Sequence, residues 1–352
     1  MYEKKRLEYI DFLKFLAIFA IVALHVFQVW KGGPQIKHID IYAFSQITRF
    51  GVPLFIMISG ALLLNRDIEI KSFLKRRTSR LIYPFIFFFI LTYVFAHLTN
   101  MGVSQVSNIF AFKWYFWMIL GVYFSIPIIN KFIQNSTMEE IEYFIIMIFA
   151  AAIFYQTTYH FKIEMFLDLN LFLSPLGYLV LGYYLSKKDF GISTNKMVSI
   201  ALILFIVTTL VKFGGQIHVL PLLENFEAAK SAMLSSYLDL GITELLQTSA
   251  VFLLGKYLYE CTQGLYLPVK NLLQTTVISK SVLSISRASY GIYLINTIPT
   301  VFFHNTIKHM HLTGTEVFLS IICLSIIVFI VSWIIIVILS KIPYINKLSG
   351  YA

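Results

Sequence analysis

Charge is what this chain has least of. Only 13% of its 352 residues are Asp, Glu, Lys or Arg, while 58% are hydrophobic. A water-soluble domain carries about a quarter charged residues, so this chain has too few to cover a water-facing surface. Cysteine is scarce too. Cys261 lies in a polar connection and Cys323 in an apolar block, which argues against a disulfide and against a cysteine metal site. No stretch is of low complexity, no internal repeat is visible, and no soluble domain is expected at either end. The apolar residues do not alternate with a period of two, as the strands of a membrane β-barrel would.

What is present is long apolar runs. Mean hydropathy is +0.76. A helix needs roughly 20 apolar residues to cross the hydrocarbon layer. Ten blocks approach that length, at 9–29, 43–64, 81–98, 114–132, 141–158, 168–186, 197–213, 236–257, 285–304 and 315–340. The expected fold is all-α: a polytopic transmembrane helix bundle of about ten spans, forming a single domain over residues 1–352. Lys4, Lys5 and Arg6 precede the first block as in a secretory signal. Its apolar run is too long for one and no small-residue cleavage site follows, so it reads as a retained span. Trp30, Trp114 and Tyr123 near block ends fit interfacial belts.

The basic residues give the bundle a direction. With the N-terminus inside, inner segments and span ends carry 19 Lys and Arg, the outer ones 8, and Lys14 lies within the first span. That is a positive-inside pattern, and ten spans then place both termini in the cytoplasm. The formal net charge of +10 follows from this topology. Its expected partner is the anionic headgroup of the lipid bilayer, not nucleic acid.

Ionisable residues inside spans are costly and point to function. The first span holds Asp11, Lys14 and His25. Lys14 and His25 are eleven residues apart, three turns plus about 20°, so they share a face about 16 Å apart along the axis. Asp11 stands three residues before Lys14, close enough to pair with it. An imidazole titrates near neutrality and suits a proton acceptor. Arg77 and Arg80, i and i+3 at the mouth of the third span, are two guanidinium forks suited to phosphate. Arg49 lies near the outer end of the second span, which Gly51, Pro53 and Gly60 loosen. Glu244 is an intramembrane acid expected to pair with a base on another helix. His304, His309 and His311 surround one connection without metal-ligand spacing, so no metal site is expected.

These residues stand in an order that resembles the acyltransferase-3 family of integral membrane acyltransferases. The resemblance starts at Tyr9-Ile-Asp-Phe-Leu-Lys14 and ends its first motif at His25. It continues through Arg49-Phe-Gly-Val-Pro-Leu-Phe-Ile-Met-Ile-Ser-Gly60, Arg77-x-x-Arg80 with Pro84, and Trp114-Tyr-Phe-Trp-Met-Ile-Leu-Gly-Val-Tyr123 with Pro127. Gly177-Tyr-Leu-Val-Leu-Gly-Tyr-Tyr184 and Ser289-Tyr-Gly-Ile-Tyr-Leu-Ile-Asn296 complete it. Lys14 replaces the more frequent Arg, Asn296 replaces the frequent terminal His, and Phe112-Lys113 precede Trp114 where a His is common. The chain looks like the short form, without the esterase-like domain of some relatives.

The resemblance implies an O-acyltransferase in a bacterial-type plasma membrane. An acyl group would pass from a cytoplasmic acyl-CoA, acetyl-CoA being the expected co-substrate, to a hydroxyl of a surface polysaccharide, glycolipid or other envelope acceptor. It requires no bound cofactor. Lys14, Arg77 and Arg80 would hold the CoA phosphates. His25 would act as general base or acyl carrier. Asp11, Arg49 and Glu244 would support them, and Trp114, Tyr115, Tyr290 and Asn296 would line the acceptor path. The alternative is a transporter or flippase of lipid-linked glycans using the same charges. Transporters often carry paired repeats with broken helices in matching positions, and no such pairing is visible.

Overall fold

The computed structural model describes residues 7–30, 46–98, 114–160, 175–219, 241–307 and 314–352. Every one of the ten apolar blocks folds as helix within them. The helices are α1 (Glu8–Trp30), α2 (Gly51–Leu63), α3 (Ile70–Leu98), α4 (Trp114–Asn135), α5 (Met138–His160) and α6 (Pro175–Lys187). They continue with α7 (Thr194–Val219), α8 (Ile242–Glu260), the short α9 (Leu267–Leu273), α10 (Thr276–Ile295), α11 (Thr297–Ile307) and α12 (Gly314–Lys341). A 3₁₀ turn, Ile345–Lys347, follows. Among the described residues, six helices are long and apolar enough to cross a membrane: α1, the helix ending at Leu63, α3, α4, α7 and α12.

Two expectations about boundaries need correction. The third helix begins at Ile70, not near 81, so Arg77 and Arg80 lie within it. Lys and Arg are good helix formers, and the basic stretch extends the helix beyond its apolar part. The ninth block is two helices, broken at Asn296. Pro299 has no N–H, and its ring crowds the carbonyl four residues earlier, which favours the break at 296.

α1 is the centre of the bundle and packs on α2, α8, α10, α11 and α12. Its Leu13, Ala17, Ile18, Val22, Val26 and Phe27 are essentially inaccessible, as expected of a helix apolar on all sides. α3 and α7 are peripheral and turn much of their apolar surface outward, including Ile86, Phe89, Ile203 and Leu210.

In a bilayer, close helix approach depends on small residues, and α2 and α6 show this. A Cβ on Gly60 would lie 1.8 Å from the Leu179 carbonyl oxygen, and one on Gly182 would lie 2.0 Å from that of Met57. α5 starts with a reciprocal cap: the Thr137 N–H donates to Glu140 Oε2 at 2.7 Å, and the Glu140 N–H to Thr137 Oγ1 at 3.2 Å. The segment after α12 folds back onto α10. A Cβ on Gly291 would lie 2.3 Å from the Ser349 carbonyl, and the Ala352 N–H donates to the Arg287 carbonyl at 2.9 Å.

Candidate active site

A cavity of about 860 Å³ opens between α1, α2, α3, α4, α10 and the segment 347–352. Six basic residues line it: Lys14, Arg66, Arg77, Arg80, Arg287 and Lys347. None of its described lining residues is an Asp or Glu. Like charges gathered without an acid repel one another and attract an anion. A smaller pocket of about 360 Å³ adjoins it and shares Arg66, Arg77 and Arg80, adding Arg76, Asp67 and Glu69.

Local structure explains how each cation is placed. Arg77 and Arg80 are one helical turn apart, so both reach the cavity from α3. The Arg77 guanidinium lies 5.8 Å from the centroid of the Phe73 ring, one turn earlier. Arg66 follows a turn that Asn65 makes with φ 58°, a left-handed conformation that Asn tolerates. Its backbone is then tied to α4. The Arg66 N–H donates to Asn130 Oδ1 at 3.2 Å, and Asn130 Nδ2 returns a bond to the Arg66 carbonyl at 2.7 Å. Lys14 enters from α1, one turn after Asp11. Asp11 is buried, accepts from the Ser286 hydroxyl at 2.6 Å, and is an electrostatic neighbour of Lys14.

The far wall is aromatic. Tyr115 of α4 and Tyr290 and Tyr293 of α10 line the cavity. Tyr290 also fastens α10 to α3 by donating to the Leu81 carbonyl at 2.9 Å, beside the turn that Pro84 loosens. Tyr293 is the pivot of this wall. Its ring centroid lies 5.2 Å from that of Tyr115, 6.3 Å from that of Tyr290 and 6.1 Å from that of His25. His25 itself does not line the cavity. Its Nδ1 meets Asn296 Oδ1 at 2.8 Å. The shared face of α1 therefore runs from Lys14 through Ile21 in the cavity to His25 behind the tyrosines.

The structure thus brings Lys14, Arg77, Arg80, Tyr115 and Tyr290 together around one space, with His25 and Asn296 next to it. It does not bring in three others. Trp114 is exposed at the start of α4. Arg49 sits partly buried in the turn before α2, outside the cavity lining. Glu244 lies in a separate buried cluster between α7 and α8. There Lys212 donates to its carboxylate and, at 2.8 Å, to Gln247 Oε1. Tyr123, read as an interfacial belt residue, instead lines the cavity. His309 and His311 lie outside the described residues. Among the described residues no three His, Cys, Asp or Glu gather as a metal site would need.

Sequence reasoning passed over Arg287, Tyr293 and Lys347. The first two had a visible signal, since Ser286, Ser289, Tyr290 and Tyr293 form a polar and aromatic stripe at i, i+3, i+4 and i+7, and Arg287 stands beside it. Lys347 had none. It reaches the cavity only because its segment folds back along Gly291.

The sequence model of one family, described as an acyltransferase domain, matches residues 7–337. The chain belongs to the acyltransferase-3 family. This membership makes it a membrane acyltransferase, and all the cavity-lining residues of α1, α2, α3, α4 and α10 fall within the matched range. No curated protein and no solved structure matched it.

Proposed function

We propose that this acyltransferase moves a short acyl group, acetyl first among candidates, from an acyl-CoA to a hydroxyl of an envelope glycan or glycolipid. The observation that carries the reading is the cavity with six basic and, among its described lining residues, no acidic side chain. Lys14, Arg66 and Arg77 are part-buried and Arg80, Arg287 and Lys347 exposed around this space. Cations gathered on one cavity attract anions, and the phosphates of CoA supply several at once. In this reading Arg77, Arg80 and Lys14 hold the phosphates, with Arg66, Arg287 and Lys347 adding to the field. The thioester end points along α1 towards His25.

The chemistry then balances simply. His25 takes the proton of the acceptor hydroxyl as its oxygen attacks the thioester carbonyl carbon. The tetrahedral oxyanion collapses, the C–S bond breaks, and the CoA thiolate leaves and recovers a proton from the imidazolium. In this reading the arginine end faces the cytoplasm of a bacterial-type plasma membrane, where acyl-CoA is available, and His25 lies towards the opposite face, the orientation that the positive-inside pattern favours.

The test uses purified protein, acetyl-CoA labelled in the acetyl group, and a panel of glycan and glycolipid acceptors. Label is expected on an acceptor together with release of free CoA, and both are expected to be lost in His25→Ala. Absence of both with the intact protein, across the panel, would overturn the reading.

A further inference from the structure

The Asn296 side chain is fully buried at the break between α10 and α11. Its Nδ2 donates to two backbone carbonyls, Ile292 at 3.0 Å and Tyr293 at 2.8 Å. Carbonyl oxygens only accept. Turning the amide over would set Oδ1 against both of them, so the network itself fixes which end faces His25. That end is Oδ1, an acceptor with no hydrogen to give, at 2.8 Å from His25 Nδ1. Nδ1 must therefore carry the hydrogen, and in the neutral ring the lone pair falls on Nε2.

The helix break holds the amide in place. The Asn296 carbonyl accepts from both the N–H and the hydroxyl of Thr300, at 3.0 and 2.7 Å. Its own N–H donates to Ile292, at 3.0 Å. A residue pinned on both sides cannot rotate to follow a turning imidazole. The Tyr293 ring, at 6.1 Å between centroids, packs against the imidazole.

We infer that Asn296 is a positioning residue that sets the tautomer of His25, making Nε2 the proton-accepting nitrogen. It acts through His25 and rests on the acyl-transfer reading above. A carboxylate in this place would orient the ring and also stabilise the imidazolium. The neutral amide orients it without adding charge, and so leaves the ring free to return its proton to the departing thiolate.

The decisive measurement is the ¹⁵N spectrum of histidine-labelled full-length protein at pH 8, with the His25 signals assigned by difference against His25→Ala. Nδ1 is expected protonated and Nε2 bare. A protonated Nε2 overturns the inference. This readout does not depend on activity, so it stands even where the acyl-transfer reading fails for want of CoA release.

Kinetics supply the second arm. Asn296→Leu removes the acceptor and is expected to lower kcat at least about 100-fold, with the KM for acetyl-CoA within about twofold. Asn296→Asp keeps an oxygen facing His25 and, with its second oxygen protonated, a donor to the Ile292 and Tyr293 carbonyls in place of the amide, and is expected to stay within about tenfold of the parent. Unchanged kcat in Asn296→Leu overturns the inference. Loss of acetyl-CoA binding in that variant would indicate misfolding, and the decision then rests on the aspartate variant and the spectrum. An aspartate variant that binds acetyl-CoA normally but is as inactive as His25→Ala also overturns it.

Discussion

The rings of Tyr115 and Tyr293 meet edge to face, 5.2 Å between centroids, in the lining of a cavity that also carries six cations. Beyond Tyr293 is His25. In the proposed reading, a thioester held by the arginines meets a tyrosine pair before it meets the imidazole.

That arrangement makes Tyr293 a barrier against wasteful hydrolysis, because excluding water from a reactive site suppresses side reactions. Tyr293→Ala should raise acceptor-independent release of CoA by about tenfold, a barrier change of about 1.4 kcal/mol. Tyr293→Phe keeps the ring and should stay near the parent. Thiol release without acceptor measures this, and an unchanged rate in the alanine variant would remove the barrier role.

The arginine pair should govern donor affinity. Hydrogen bonds to charged groups contribute about 1.5–3 kcal/mol each, so Arg77→Ala or Arg80→Ala should weaken acetyl-CoA binding by roughly 10- to 100-fold. Arg77→Lys keeps the charge but loses the planar fork and should fall between. Titration calorimetry in detergent gives the three constants, and equal affinity in all of them would remove the pair from the donor site.

The α2–α6 contact should tolerate no side chain. In Gly60→Ala the new methyl would lie 1.8 Å from the Leu179 carbonyl oxygen. Overpacking of this kind typically costs about 1–3 kcal/mol. α2 also supplies Phe55, Ser59 and Leu62 to the cavity wall. Thermal unfolding in detergent should show a lowered midpoint together with weaker donor binding. A wild-type midpoint would mean that the helices separate freely.

Lys212 and Glu244 should behave as a unit. Both side chains are nearly inaccessible, 5% and 2% exposed. Removing one partner leaves a buried charge, at a cost of about 3–5 kcal/mol, whereas replacing both by apolar groups is often tolerated. Lys212→Met and Glu244→Met should each lower the unfolding midpoint sharply, and the double variant should recover much of the loss. Additive losses would show that the two do not interact.

Much of this was legible in the sequence because it lay in local spacing. Lys14 and His25 share a helical face by arithmetic, and Arg77 and Arg80 share one by being a turn apart. Ten apolar blocks gave the helices. What stayed hidden depends on contacts between distant segments. Lys212 meets Glu244 across 32 positions, and Asn296 meets His25 across 271. No periodicity encodes either meeting. The start of α3 at Ile70 was hidden for another reason: hydropathy marks where lipid begins, and a lysine- and arginine-rich helix continues past that point.

The central claim is that the arginines of the cavity bind the donor and that His25, behind its tyrosines, does the chemistry. Steady-state CoA release with a fixed acceptor tests it most directly, in the parent, Arg77→Ala/Arg80→Ala and His25→Ala. The account predicts that the arginine variant raises the KM for acetyl-CoA with kcat largely kept, while His25→Ala keeps KM and loses kcat. A rise in KM alone for His25→Ala, or a loss of kcat alone for the arginine variant, would contradict it.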